Sequence, residues 1–183
     1  ISEITHVLNK TIFLVTLELN KNICERAPKI SDTVTHANSA IAADAASFVV
    51  LVSELFLKKK MCKGVEVLGS GTSGVIPEEA PLAPVGAIKA LLDQTKISLS
   101  NVAFIELMEA YAAQAIICTR LCDLDLDKVN IRGGALSRGH PIGASGAILA
   151  VRLFNELIKT PGISGIAAIA AAGGIGSAMV LKS

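Results

Sequence analysis

Short apolar blocks alternate along this chain, and their period switches between two and about 3.6 residues, as strands and helices require. Thr33-Val34-Thr35 predicts a short strand. From Ala42 to Leu57 the polar residues are confined to Asp44, Ser47 and Glu54, with Lys58 following. That is one narrow polar stripe, which predicts a helix buried over most of its circumference. Val65 to Gly69 predicts a strand, and Pro77, Pro81 and Pro84 mark a loop. Pro84 is placed to open a helix running to about Gln94. Val102 to Leu107 predicts a strand, Ala110 to Cys122 a helix, and Ala144 to Ile158 a further helix. In that last helix Ile148, Val151, Phe154 and Ile158 are expected inward, with Arg152, Glu156 and Lys159 outward. Two strands joined at Gly173-Gly174 end the chain. Residues 1–30 read as a peripheral segment and 31–183 as the domain, an α/β layered one by its alternation of elements.

Composition narrows this further. Hydrophobic residues make up 51% of the 183 positions, aromatics only 3%, and Trp is absent. The core is therefore aliphatic, which suits strands covered on both faces by helices. A net charge of +1 from 17 basic and 16 acidic residues gives no reason to expect a nucleic-acid partner. The basic run Lys58-Lys59-Lys60 is expected at the solvated end of a helix, where cations suit the dipole. The apolar stretch from Ile163 to Val180 is broken by glycine and serine, so buried strands are expected and no membrane span. No signal peptide is evident, which points to an intracellular protein, cytoplasmic or organellar. Ile1 in place of Met hints at sequence removed upstream.

Cys24, Cys62, Cys118 and Cys122 form neither a CxxC pair nor a zinc-type cluster with His. They are expected to be buried free thiols, with Cys118 and Cys122 on one helix face. Asp123, Asp125 and Asp127 have the start of a calcium-loop spacing. The Gly and Glu that complete an EF-hand are missing, so no metal is expected.

The most informative segment runs from Gly133 to Gly146, GGALSRGHPIGASG, where glycines crowd the single His140 at the mouth of a helix. Glycine permits positive φ and close approach of a substrate to backbone. A helix start offers free N–H groups to an anion or oxyanion. Pro141 limits where the imidazole can point. A structural histidine rarely needs that much backbone permissiveness, so a functional one is expected.

Gly-His-Pro-x-Gly-x-Ser-Gly, preceded by Gly-Gly-Ala, resembles the histidine loop of thiolases. Three other segments agree in order. Thr33-Val34-Thr35-His36-Ala37-Asn38 with Asp44 is similar to the family's T-V-T-A-G-N…D stretch. Met108-Glu109-Ala110-Tyr111-Ala112-Ala113-Gln114 is similar to N-E-A-F-A-A-Q, and Ile166 to Gly176 to the closing C-x-G-G-G-x-G turn. Ketoacyl synthases share a Gly-His loop but lack Pro after that His. They carry a second catalytic His where this chain has Met108-Glu109-Ala110. The resemblance spans residues 16 to 183 and implies the C-terminal half of a thiolase, with a mixed sheet and helices on both faces.

It also implies a thioester Claisen condensation or its reverse, run on coenzyme A thioesters without a cofactor. His140 matches the oxyanion histidine, and Ala172, Gly173 and Ser145 fall at oxyanion or substrate-binding positions. The family's nucleophilic Cys belongs to a half that this chain lacks. Its proton-moving Cys is Ala170 here, and the Asn of N-E-A-F is Met108. Ala40 and Ile41 replace a Ser near the coenzyme and a Gly. Glu109 is retained and is expected to be a structural carboxylate accepting backbone N–H bonds. Two readings follow: part of an acetyl-CoA acyltransferase, inactive as this isolated chain, or a catalytically dead subunit that binds an acyl-CoA or a partner chain. A ligand-free α/β domain is a third, against which the intact histidine loop argues. Association, as a homo-oligomer or with an N-terminal half, is expected in either of the first two cases.

Overall fold

The computed structural model describes residues 21–183, so the expected peripheral segment falls largely outside the described residues. A short helix α1 (Lys21–Arg26) leads into a hairpin of β1 (Lys29–Ser31) and β2 (Val34–Thr35). Helix α2 (Glu54–Lys60), strand β3 (Glu66–Gly74), helix α3 (Ala83–Thr95) and strand β4 (Val102–Leu107) follow. Next come α4 (Ala112–Leu121), the single turn α5 (Ala135–Arg138), α6 (Ser145–Leu157), β5 (Ser164–Ala171) and β6 (Ile175–Lys182).

One four-stranded sheet, in the order β3-β6-β5-β4, organises the domain. β4 and β5 run parallel, with Leu107 opposite Ala168, and β6 is antiparallel to both β5 and β3. Val129 adds one parallel bridge to Ile105 on the outer edge of β4. The sheet is mixed and covered on both faces, as the resemblance implied. On one face α3 inserts Ala87, Ile88 and Leu91 against Ile166, Ala168 and Val180, and Cys118 of α4 joins that cluster. On the other, Leu149, Leu153 and Leu157 of α6 pack with Met108, Ala167 and Leu181. Ile166 and Ala167 thus serve opposite layers, which explains why β5 lacks the polar alternation of a half-exposed strand.

Strand β4 and helices α3 and α6 lie where the pattern put them, and Pro84 does sit in the first turn of α3. Three expectations need correction. From Ala42 to Ser53 there is no helix, and α2 begins only at Glu54. Ser53 has extended backbone (φ −72°, ψ 154°), and its hydroxyl caps the helix by accepting from the Phe56 N–H at 3.2 Å. Upstream, the β-branched and aromatic run Phe48-Val49-Val50-Leu51-Val52 favours extended chain over helix, and here it is exposed. Lys58, Lys59 and Lys60 do occupy the exposed last turn of α2.

The buried row of α6 is Leu149, Leu153 and Leu157. Ile148, Val151, Phe154 and Ile158 are half-buried, and Arg152 turns inward because a buried carboxylate on β4 takes it up. Cys118 and Cys122 are buried as expected, facing the Pro81 and Val85 carbonyls, and burial pushes the Cys122 thiol up to about 11. Cys24 and Cys62 are exposed. Asp125 caps a short turn by accepting from the Asp127 N–H at 3.0 Å, which gives the acidic run a structural use. No helix among the described residues is long and apolar enough to cross a membrane.

Candidate functional site

Because β4 and β5 run parallel, their carboxyl ends, at Leu107 and Ala171, lie at one end of the sheet. The chain leaves β4 there into Met108-Glu109-Ala110, and leaves β5 there into the Ala172-Gly173-Gly174 turn, whose two glycines both have φ +86°. Val129 runs parallel beside Ile105, so residues 130–144 also emerge at this end before α6 turns back along the sheet. Ligand sites of open α/β sheets collect at such ends.

The floor of the histidine loop is a polar network. Asn130, buried and at φ +49°, accepts from the Leu107 N–H and donates to the Leu107 carbonyl, both at 2.9 Å. Its amide also donates to Glu109 Oε1 at 2.5 Å. Glu109 Oε2 accepts from the Leu136 N–H at 3.2 Å, the structural use expected of that carboxylate. Gly134 lies directly over Glu109, where any Cβ would collide with the carboxylate, so glycine is required there by close approach. Below, Arg152 donates to both oxygens of Glu106, at 2.7 and 3.2 Å, and to the Gly133 carbonyl at 2.9 Å. Burial pushes the Glu106 carboxyl above its ordinary value, and Arg152 opposes that shift.

Past Gly139 (φ +92°), the His140 N–H donates to the Ile41 carbonyl at 2.7 Å, and Ala42 bridges His140 as in a parallel ladder. On its other side the same segment pairs with the loop after β4. The Ala40 N–H donates to the Ala110 carbonyl, and the Ala112 N–H to that of Asn38, both at 2.9 Å. Residues 38–42 therefore tie the Glu109 loop to the His140 loop. Asn38 holds their entry turn, accepting from the Thr35 N–H at 2.7 Å and donating to the Thr33 carbonyl at 2.8 Å.

His140 Nδ1 lies 2.7 Å from Ser145 Oγ, in the first turn of α6. Ser145 gives its hydroxyl proton to the Pro141 carbonyl at 2.9 Å, so its oxygen is left to accept from Nδ1–H. The neutral ring then carries its lone pair on Nε2. Burial holds the His140 pKa below its ordinary value. A histidine depressed in the fold contributes stability that is complete above the unfolded value of about 6.5 and declines as pH falls below it. The melting temperature should therefore fall between pH 7.5 and 5.5, and His140→Gln should flatten that slope; an equal slope in both proteins would assign it to other groups.

Of the other expected site residues, Ala172 and Gly173 are exposed in the closing turn. Ala170 is half-buried opposite Gly176, which sits against Ala83. Met108 is 3% exposed, in the apolar cluster with Ala135 and Leu149. The four motifs thus reach one end of the sheet, while the Met108 side chain is committed to the core. Glu106, Asn130 and Arg152 were missed as supports of the loop. Glu106, a lone carboxylate inside an apolar strand, was the signal available.

A layered α/β domain with a glycine-framed histidine at the carboxyl ends of its parallel strands is the class defined here. Residues 62–183 match the family model described as Thiolase, C-terminal domain, and the chain belongs to the thiolase family as that domain. It is 38% identical over 157 residues to a putative acetyl-CoA C-acetyltransferase of Bacillus subtilis, covering 83% of this chain and 42% of the relative. It is 34% identical to the human mitochondrial 3-ketoacyl-CoA thiolase, covering 85% and 39%. The fold superposes on the Bacillus anthracis acetyl-CoA acetyltransferase with a TM-score of 0.84 at 31% identity, covering 90% of this chain and 43% of that one. The chain thus spans about two fifths of the length of these relatives.

Proposed function

We propose that this chain is the C-terminal half of an acyl-CoA site that holds a thioester without turning it over unaided. The observation that carries the reading is His140, set by Ser145 and by the Ile41 carbonyl at the open end of the sheet. With Nδ1–H engaged by Ser145, Nε2 of the neutral ring accepts a proton. It donates to a thioester oxygen only once the imidazole is charged or Ser145 rotates. The exposed amides of Ala172 and Gly173 are the second source of donors for that oxygen.

A cleft of about 760 Å³ adjoins Gly139, and its lining includes Arg26 and Arg138 and no carboxylate. That charge balance suits the phosphates of a coenzyme A thioester better than a cationic ligand. The chemistry of the motifs requires no cofactor besides the thioester itself. Acyl transfer requires a nucleophile, which the reading assigns to an N-terminal half, and a proton carrier, which Ala170 cannot be.

Acetyl-CoA at millimolar concentration should raise the melting temperature of the chain by mass action, and His140→Ala should reduce that shift. An absent shift, or one that His140→Ala leaves intact, would remove the support for acyl-CoA binding at this loop.

A further inference from the structure

The cleft beside Gly139 carries a cation that the fold itself uses only in part. Arg138 ends the single turn α5, half-buried, and its Nε–H donates to the Gly134 carbonyl at 3.1 Å. That bond orients the guanidinium and leaves its two terminal nitrogens without a partner among the described residues. No carboxylate is left for them. Glu106 is taken by Arg152, and Glu109 by Asn130 and the Leu136 N–H. The cleft lining adds no other. Burial disfavours the charge on Arg138, and the nearby Arg152 adds to that. A guanidinium partly withdrawn from water and unpaired is a cost that a bound anion offsets. Its free edge offers parallel N–H donors, which a carboxylate or a phosphate accepts in bidentate fashion.

Reach decides between those two anions. Arg138 and His140 are two positions apart, so their Cα atoms lie within about 7 Å of each other. The extended pantetheine arm of a coenzyme A thioester matches roughly four or five residues of chain, setting the sulfur about 15 Å from the nearest phosphate. With the thioester at His140, the phosphates are carried away from Arg138, and an anion within its reach belongs to the acyl side. Arg26, exposed at the end of α1, is the arginine of the lining left for the phosphates. Ile41 and Leu136 line the same cleft and offer apolar walls to the methylenes of an acyl chain.

We infer that Arg138 makes the site selective for a short acyl group ending in a carboxylate, the half-thioester of a dicarboxylic acid. The guanidinium holds that carboxylate while His140 faces the thioester. The inference rests on the acyl-CoA reading and names the acyl class within it.

The test is calorimetric titration of the full chain with two matched pairs, succinyl-CoA against butyryl-CoA and glutaryl-CoA against valeryl-CoA. Within each pair only a terminal carboxylate replaces a methyl group. In at least one pair the dicarboxylic thioester should bind about tenfold more tightly, the scale of a hydrogen bond to a charged group. Arg138→Met should bring that ratio close to one. Arg138→Lys, which keeps the charge without the fork, should retain part of it. Arg26→Met should weaken both members of a pair alike and leave the ratio standing. A ratio near one in both pairs for the unmodified chain would overturn the inference and leave the acyl-CoA reading intact. Equal weakening of both members by Arg138→Met, at an unchanged ratio, would place the guanidinium on a phosphate and overturn it as well. If no thioester binds, acetyl-CoA included, the acyl-CoA reading falls and the inference with it.

Discussion

Supplied with an N-terminal half carrying a nucleophilic Cys, the chain should show no measurable thiolysis of acetoacetyl-CoA. Ala170 has no ionisable group, and losing a positioned proton carrier costs about 10²–10⁴-fold. Met108 offers no donor, and a lost oxyanion donor costs roughly 10²–10³-fold. The losses are coupled and do not simply multiply, but either alone takes turnover to the edge of detection. Ala170→Cys together with Met108→Asn should restore detectable cleavage, and His140→Ala in that background should abolish it. The two substitutions differ in what they do to the fold. Ala170 is half-buried at a strand end, so Cys should be tolerated there. Met108 lies among Ala135 and Leu149, so its replacement by Asn buries an amide and should cost about 1–3 kcal/mol. Ready turnover by the unmodified assembly would show that another group moves the proton.

The largest effect on stability is expected at Arg152. Replacing it with Met leaves the Glu106 carboxylate, 4% exposed, without its partner, and removes the donor to the Gly133 carbonyl. Breaking one side of a buried pair typically costs about 3–5 kcal/mol, whereas removing both charges together costs much less. Chemical denaturation should therefore rank Arg152→Met as less stable than the double variant with Glu106→Leu. The pH dependence has a definite sign. Burial already raises Glu106, and losing Arg152 raises it further. A carboxyl raised in the fold contributes stability that is complete below the unfolded value of about 4.3 and is lost as pH rises through the folded one. The defect of Arg152→Met should accordingly shrink as the pH is lowered. Equal stabilities for the single and double variants at neutral pH would mean that Glu106 is not isolated by the change.

Period and punctuation in the sequence were enough for most of the fold. The block Val102–Leu107, apolar but for Glu106, is β4 to the residue, Pro84 opens α3 one residue after its first, and Gly173-Gly174 turns β5 into β6. The glycine-framed His140 and its helix were legible for the same reason: such chemistry is local, and a turn needing positive φ or close approach announces itself in residue type. Glu109, expected as a structural carboxylate, accepts the Leu136 N–H as such a residue should.

What only the tertiary structure decided is whatever depends on a distant partner. Arg152 reads as solvated by helical period, yet it turns inward because Glu106, 46 positions earlier, is buried across from it. Met108 reads as a vacant polar position and proves to be core, since α6 and β5 close over it. Residues 42–53 read as a buried helix because their polar stripe has helical spacing. Their β-branched run favours extended chain instead, and no layer of this domain covers it. Periodicity reports that a face is to be buried, but it cannot report which chain buries it.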